Sequence, residues 1–243
     1  MQGGRADPVA LSVIIPALNA EATLAPTLAA LVAHDHGRAG APAEAPAEMQ
    51  GEIIVVDGGS ADSTRAIAQE AGARVIAAPA GRGGQLAAGI AVAAEPWLLL
   101  LHADTRLAPG WRRAADGLIA SGPARAGYFR FALDSPDPRA RRLERAVAWR
   151  GRVLGLPYGD QGLLIHRDLL RAVGGIRPLP LMEDVDLIRR LGRQRLVALD
   201  AVALTAATRW ERDGWRGRSF RNLLCLTLYL AGVPVRHIQR LYG

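Results

Sequence analysis

A chain of 243 residues, half of them hydrophobic, is long enough for one α/β domain with an embellishment and too apolar to be disordered. All 30 basic residues are arginine, which excludes mechanisms that need a lysine: P-loop phosphoryl transfer, Schiff-base chemistry and lysine-dependent nucleotidyl transfer. The formal net charge of +7 favours anionic partners (nucleotide sugars, phospholipid head groups or nucleic acid) without choosing among them, and the joint abundance of alanine, glycine and arginine also reads as compositional bias.

Apolar runs and amphipathic stretches alternate from the N-terminal end, with no signal-peptide pattern before the first run. A strand over 11–15, ended by Pro16, precedes a helix over 20–33. Strands over 53–56, 74–77 and 97–101 are followed by helices over 60–71, 83–94 and 110–121. Four strand–helix units in succession predict an α/β fold with a Rossmann-like, mostly parallel central sheet flanked by helices on both faces. The connection over 37–51, with Ala-Pro-Ala-Glu-Ala-Pro-Ala-Glu at its centre, is expected to be a flexible surface insertion.

After Gly122-Pro123 the pattern changes. A strand over 128–133 leads to an arginine-rich helix over 138–152. A second strand over 162–166 precedes a short helix over 168–173 and the Gly174-Gly175 turn. A helix starting near Met182 and a strand over 196–199 complete a domain over 9–211, with halves at 9–122 and 123–211. Residues 212–243 form a C-terminal helical tail that includes the single cysteine, Cys225. Its apolar setting assigns it to the core, and one cysteine leaves no intrachain disulfide, which suits a reducing cytoplasm.

The chemistry concentrates at strand ends, where ligands bind in open α/β sheets. Trp97-Leu98-Leu99-Leu100-Leu101 stops at His102-Ala103-Asp104-Thr105, placing a histidine and a carboxylate beside each other. The second strand stops at Asp57-Gly58-Gly59-Ser60, an acid followed by glycines that let backbone approach a ligand; Asp57 also reads as an ordinary turn acid, and Ser60 and Asp62 as caps of the next helix. Gly81-Arg82-Gly83-Gly84-Gln85 offers an anion-binding arginine or a plain loop cation. Glu183-Asp184-Val185-Asp186 reads as catalytic acids or as N-terminal acids complementing a helix dipole. Asp184 and Asp186 do not share one helix face, so one of them faces the crevice. Asp160 and Gln161 lie before a strand of the second half, and Trp210 stacks on a sugar or packs in the core.

Ile14-Ile15-Pro16-Ala17-Leu18-Asn19, Val55-Val56-Asp57-Gly58-Gly59-Ser60, His102-Ala103-Asp104 and Glu183-Asp184-Val185-Asp186-Leu187 resemble, in that order, the motifs of family 2 glycosyltransferases of the GT-A fold. The chain also looks like the small bacterial subgroup associated with radical-SAM and selenium-related domains, a label that identifies no acceptor. The resemblance implies a nucleotide-binding half over 9–122 and an acceptor half over 123–211. It implies that Pro16, Ala17 and Leu18 frame the base of a UDP- or GDP-sugar, that Asp57 hydrogen-bonds that base, and that Gly58, Arg82 and Ala103 belong to the donor site. Asp104 is the implied ligand of Mg²⁺ or Mn²⁺, and Asp184 the general base of an inverting displacement, its pKa raised by burial or by Glu183. Asp160, Gln161, Glu183 and Trp210 are expected on the acceptor side. Nucleic acid is not an expected partner.

Three positions depart from the family pattern. His102 stands where a first acid is usual, contacting ribose, orienting Asp104 or filling the strand end. Ala20 replaces a usual glutamate, with Glu21 one place on. Ala206 replaces the glutamine of the Gln-Xaa-Xaa-Arg-Trp signature that Arg209-Trp210 would end, which argues against processive synthesis. The alternatives are a sugar nucleotidyltransferase, whose usual glycine-rich start and lysine are missing, and a non-catalytic GT-A domain binding nucleotide or membrane. The uncharged stretch over 222–235, flanked by arginines, is too short to span a bilayer. It is expected to pack on the domain, with a homodimer contact or a peripheral anchor at the inner face of the cell membrane as the other readings.

Overall fold

The computed structural model describes residues 9–33 and 51–242, so the 37–51 connection lies outside the described residues except for Gly51. The four expected units are present: β1 (Leu11–Ala17) and α1 (Glu21–Ala33), β2 (Gly51–Asp57) and α2 (Thr64–Glu70), β3 (Arg74–Ala77) and α3 (Arg82–Val92), β4 (Trp97–Leu100) and α4 (Trp111–Ala120). Their apolar runs are continuous because both faces of the sheet are covered. Val13, Ile15, Leu99 and Leu101 enter one core layer with Leu24, Leu28 and Trp111, whereas Ile14, Leu98 and Leu100 enter the other with Leu86 and Leu187.

The described strands form one eight-stranded sheet, in the order β3-β2-β1-β4-β7-β6-β8-β5, completed by β5 (Thr105–Leu107), β6 (Ala126–Asp134), β7 (Leu163–His166) and β8 (Leu196–Ala206). The first four pair in parallel, but β4–β7, β7–β6 and β8–β5 are antiparallel. The sheet is therefore mixed: parallel where the nucleotide-type units stack, and of both senses beyond β4, where β7 runs against its neighbours β4 and β6, and β5 against β8.

The arginine-rich helix α5 (Pro138–Trp149) starts on a capping Asp137, whose carboxylate accepts the Arg139 N–H at 2.7 Å, and runs into a π-helical turn, Arg150–Leu154. Next come α6 (Arg167–Ala172) and α7 (Glu183–Leu191). The tail, α8 (Thr208–Asp213), α9 (Trp215–Leu230) and α10 (Val235–Tyr242), breaks at Gly232 and Pro234 as expected. It packs on the domain: Cys225 and Ile238 are fully buried against Leu181, Met182 and Val185, and Trp215 joins Phe131 and Trp210 in a separate cluster. Among the described residues no helix is long and apolar enough to cross a membrane.

Candidate active site

The carboxyl ends of β1, β2 and β4 lie side by side, because β1 sits between the other two. At the first two ends, Gly58 N–H donates to Ala17 O at 2.8 Å, and the buried Gln85 amide donates to both Ala17 O (2.9 Å) and Val56 O (2.8 Å). Gln85, which its position in the sequence marked only as the end of a glycine-rich run, fastens the floor of this crevice. Asp57 is almost fully buried and accepts the N–H groups of Gly59 and Ser60 at 3.2 and 3.1 Å; Leu18 stands exposed beside it. Pro16 is buried in β1.

Ser60 does not cap its own helix. Its Oγ accepts the Asn19 N–H at 2.9 Å, while Asp62 accepts the N–H groups of Glu21 and Thr64, the first residues of α1 and α2. Glu21, displaced by one from the family pattern, reaches back to the Ser63 N–H at 3.1 Å. The two loops thus cap each other, an exchange that local spacing does not reveal.

Beyond β4 a second group converges. His102, Asp104, Asp160, Asp184, Arg82 and Arg209 line one cavity of about 590 Å³, with Trp210 in its wall. Asp104 is held from behind, its carbonyl accepting the Ala206 N–H and that of Ala103 accepting the Thr27 hydroxyl. Arg209 Nη2 stands 4.0 Å from the Asp104 carboxylate. Asp184 accepts Gly159 N–H at 2.7 Å and Val185 N–H at 2.8 Å. Asp186, on another face of α7, turns inward to Arg177 and Arg190, so Asp184 is the acid that faces the cavity.

Electrostatics separate the two neighbouring acids opposite to expectation. Burial would raise Asp184, but the Arg82 charge, the Gly159 and Val185 N–H groups and His102 outweigh it and hold its carboxyl below the ordinary value. Glu183, wholly buried and 3.0 Å from Arg82 Nε, has no such pair of N–H donors; burial and then the Asp184 charge push it up to about 7. It is Asp184 that repels a proton-free Glu183, and Glu183 positions Arg82. Burial and then Arg82 lower His102 to about 4, so its imidazole is neutral at physiological pH. Burial raises Asp160 to about 6, and its Oδ1 has no hydrogen-bond partner in the protein.

Not every expected residue faces the cavity. Gln161 is 2 % exposed, its amide donating to Phe129 O at 2.9 Å and accepting from Tyr158 N–H; it holds the turn that presents Asp160. Trp210 does line the cavity, but it is largely buried and packed, its ring centroid 6.5 Å from that of Phe131. Sequence reading missed Gly159, whose only signal was its place before Asp160. A Cβ there would stand 2.5 Å from His102 Nε2 and 3.0 Å from Asp184 Oδ2. Gly159→Ala is therefore expected to cut turnover about 100-fold through displacement of Asp184 while the fold persists, as steady-state kinetics beside thermal melting would show.

The pKa of Glu183 carries a stability signature. The folded chain keeps a proton between its ordinary value of 4.5 and about 7 that the unfolded chain releases, so this group's contribution falls as pH rises through that window. Asp160 and His102 also titrate in this range, so the group is read by difference: between pH 5 and pH 8, denaturant unfolding should show the wild type losing roughly 2 to 3 kcal/mol more stability than Glu183→Gln.

Strand-end loops around buried acids, on a sheet whose first four strands are parallel, form a crevice of the kind in which open α/β sheets bind ligands. Residues 12–154 match the family model Glycosyl transferase family 2, and the chain belongs to that family: it is a glycosyltransferase that uses a nucleotide-activated sugar. Solved structures share its GT-A fold. Glucosyl-3-phosphoglycerate synthase from Mycobacterium tuberculosis, in complex with Mn²⁺, UDP and glucosyl-3-phosphoglycerate, is 21 % identical over 93 % of this chain and 81 % of its own, with a TM-score of 0.55. The same enzyme with Mn²⁺ and UDP-glucose is 20 % identical over 93 % and 80 %, with a TM-score of 0.56. Residues 1–349 of S. aureus TarS are 14 % identical over 96 % of this chain and 69 % of theirs, with a TM-score of 0.61. No curated protein matches the chain.

Proposed function

We propose that this chain moves a sugar from a UDP- or GDP-linked donor to an acceptor hydroxyl by a single inverting displacement, with residues 9–122 holding the donor and 123–211 the acceptor. The observation that carries the reading is the Asp184 carboxylate, fixed by the Gly159 N–H at 2.7 Å in the same cavity as Asp104, Arg82 and Arg209. Pro16, Ala17 and Leu18 frame the base and Asp57 accepts from it. Gly58 and Ala103 keep backbone close to the nucleotide. Arg82, aligned by Glu183, and Arg209 meet the diphosphate.

Asp184 accepts the proton of the acceptor hydroxyl as its oxygen attacks the anomeric carbon, and the bond to the nucleoside diphosphate breaks on the opposite face. The carboxyl of Asp160, with Oδ1 buried and unpartnered in the protein, is available to an acceptor hydroxyl. Among the described residues no three His, Cys, Asp or Glu side chains form a metal-binding group. The residues fit a cation held by the Asp104 carboxylate and completed by donor phosphates and water, the coordination Mg²⁺ adopts beside phosphates, and Mn²⁺ suits the same oxygen donors. When bound, the ion offsets charge on the departing diphosphate. Chelation with EDTA should abolish transfer, and Mn²⁺ or Mg²⁺ should restore it; full activity in excess chelator would remove the cation from the account.

Incubation with a panel of UDP- and GDP-sugars and Mn²⁺ tests the function. Release of nucleoside diphosphate is expected. Pyrophosphate instead would indicate nucleotidyl transfer, and binding without turnover a non-catalytic domain.

A further inference from the structure

The cavity that holds Asp104 and Asp184 changes character away from them. Leu143 and Val147 of α5, Leu154 of the π-helical turn, Val185 of α7 and Leu226 of α9 make an apolar wall continuous with the carboxylates. At its mouth the side chains that line the cavity are also open to solvent: Trp149 is 57 % exposed, Leu223 62 % and Leu230 46 %. Arg150, Arg218, Ser219, Asn222 and Thr227 also line the cavity, yet most of its lining surface is apolar, the character that marks a site for an apolar ligand or a lipid surface.

We propose that the acceptor is an amphiphile drawn from an anionic lipid surface, its hydroxyl-bearing head at Asp184 and its hydrocarbon chain along this wall. The inference rests on the transferase reading above and names the substrate class of the same site. A cavity of about 590 Å³ suits a ligand larger than a single sugar unit.

Charge supports the source. Every charged residue of α9 is an arginine: Arg218 is buried against Asp213 and Tyr242, whereas Arg216 is exposed and Arg221 half-buried in the same first half of the helix, where Phe220 projects at 68 % exposure. On the π-helical turn, which contributes Leu154 to the cavity, Val153 is exposed and is preceded by the exposed Arg152. Exposed apolar side chains bordered by arginines are the pattern of an element lying on anionic lipid rather than crossing it. A chain entering the groove from such a surface passes from one apolar environment to another, while its head reaches the carboxylates.

Calorimetric titration with octyl maltoside, dodecyl maltoside and maltose, the detergents below their critical micelle concentrations, tests the proposal without requiring catalysis. Dodecyl maltoside is expected to bind at least about tenfold more tightly than octyl maltoside, since four further methylenes are buried, and maltose not to bind measurably. Leu226→Gln and Leu223→Glu should each erase the chain-length dependence while UDP binding persists, which verifies the fold. Equal affinity for the two detergents, or unchanged dependence in both variants, would overturn the proposal. So would a dimer in sedimentation that Leu223→Glu converts to monomer without altering detergent binding, because the face would then be a contact between copies. Nucleoside diphosphate release by slow hydrolysis, with water in the acceptor's place in detergent-free samples, keeps the two readings apart. Release without chain-length dependence overturns the amphiphile alone, and chain-length dependence without release from any donor overturns the transferase reading and the acceptor assignment with it.

Discussion

Asp184→Asn is expected to lower kcat by about 10²–10⁴-fold, the range of a lost general base, and to leave UDP binding within about twofold of wild type. The substitution preserves the shape and an oxygen to accept the Gly159 N–H, so the turn at 159–161 stays in place. What disappears is the capacity to take a proton. Against burial, the Arg82 charge and two backbone N–H groups hold Asp184 below its ordinary value, so it is free of a proton in the resting protein, though a weaker base than the raised carboxyl that sequence predicts. Calorimetry with UDP and Mn²⁺ beside initial rates separates the two effects. A variant as active as wild type would remove Asp184 as the base, and one that binds no nucleotide would move it to the donor site.

Asp104→Ala is expected to weaken Mn²⁺-dependent UDP binding by at least about tenfold, the floor set by the loss of even an indirect metal partner. Without added cation the sign should change. A carboxylate facing the diphosphate repels it, and its removal also frees Arg209, now 4.0 Å from Asp104, to meet the phosphates, so metal-free UDP binding should stay equal or tighten. Titrations with Mn²⁺ and with EDTA read this crossing directly. Weakening by the same factor in both conditions would show that Asp104 supports the fold of the site rather than a cation.

The parallel half of the sheet was legible because β1, β2 and β4 are largely buried on both faces, so their apolar runs stand out until Pro16, Asp57 and His102 end them; β3, at the edge and only half-buried, shows as a shorter run. Beyond them the signal thins. β5 is three residues, Thr105, Arg106 and Leu107, of which only the first and last are fully buried, and no periodicity is readable over that length. β8 was expected only over 196–199. It continues to Ala206 on the small inward residues Ala201, Ala203 and Thr205, after a register shift against β6 between Tyr128 and Arg130.

The site followed the same division. His102, Asp104, Asp57 and Asp184 stand at strand ends or a helix start, positions that sequence pattern locates. Their environments depend on distant partners. The N–H that fixes Asp184 comes from 25 residues away, the arginine that pairs with Glu183 from the start of α3, and the one beside Asp104 from α8. Sequence placed Glu183 and Asp184 as a repelling pair, but only the packed structure shows which of them keeps its proton, because the two N–H donors reach one carboxylate alone. Gln161 and Ser60 were misjudged for a related reason, since short polar side chains at turns serve backbone groups across the fold as readily as ligands.

The central claim, a single displacement with Asp184 as base, predicts stereochemistry even before the acceptor is known, because water can take the acceptor's place. Proton NMR of the sugar released during slow hydrolysis of an α-linked UDP-sugar, recorded before mutarotation, should show the β-anomer first. The α-anomer appearing first would contradict it.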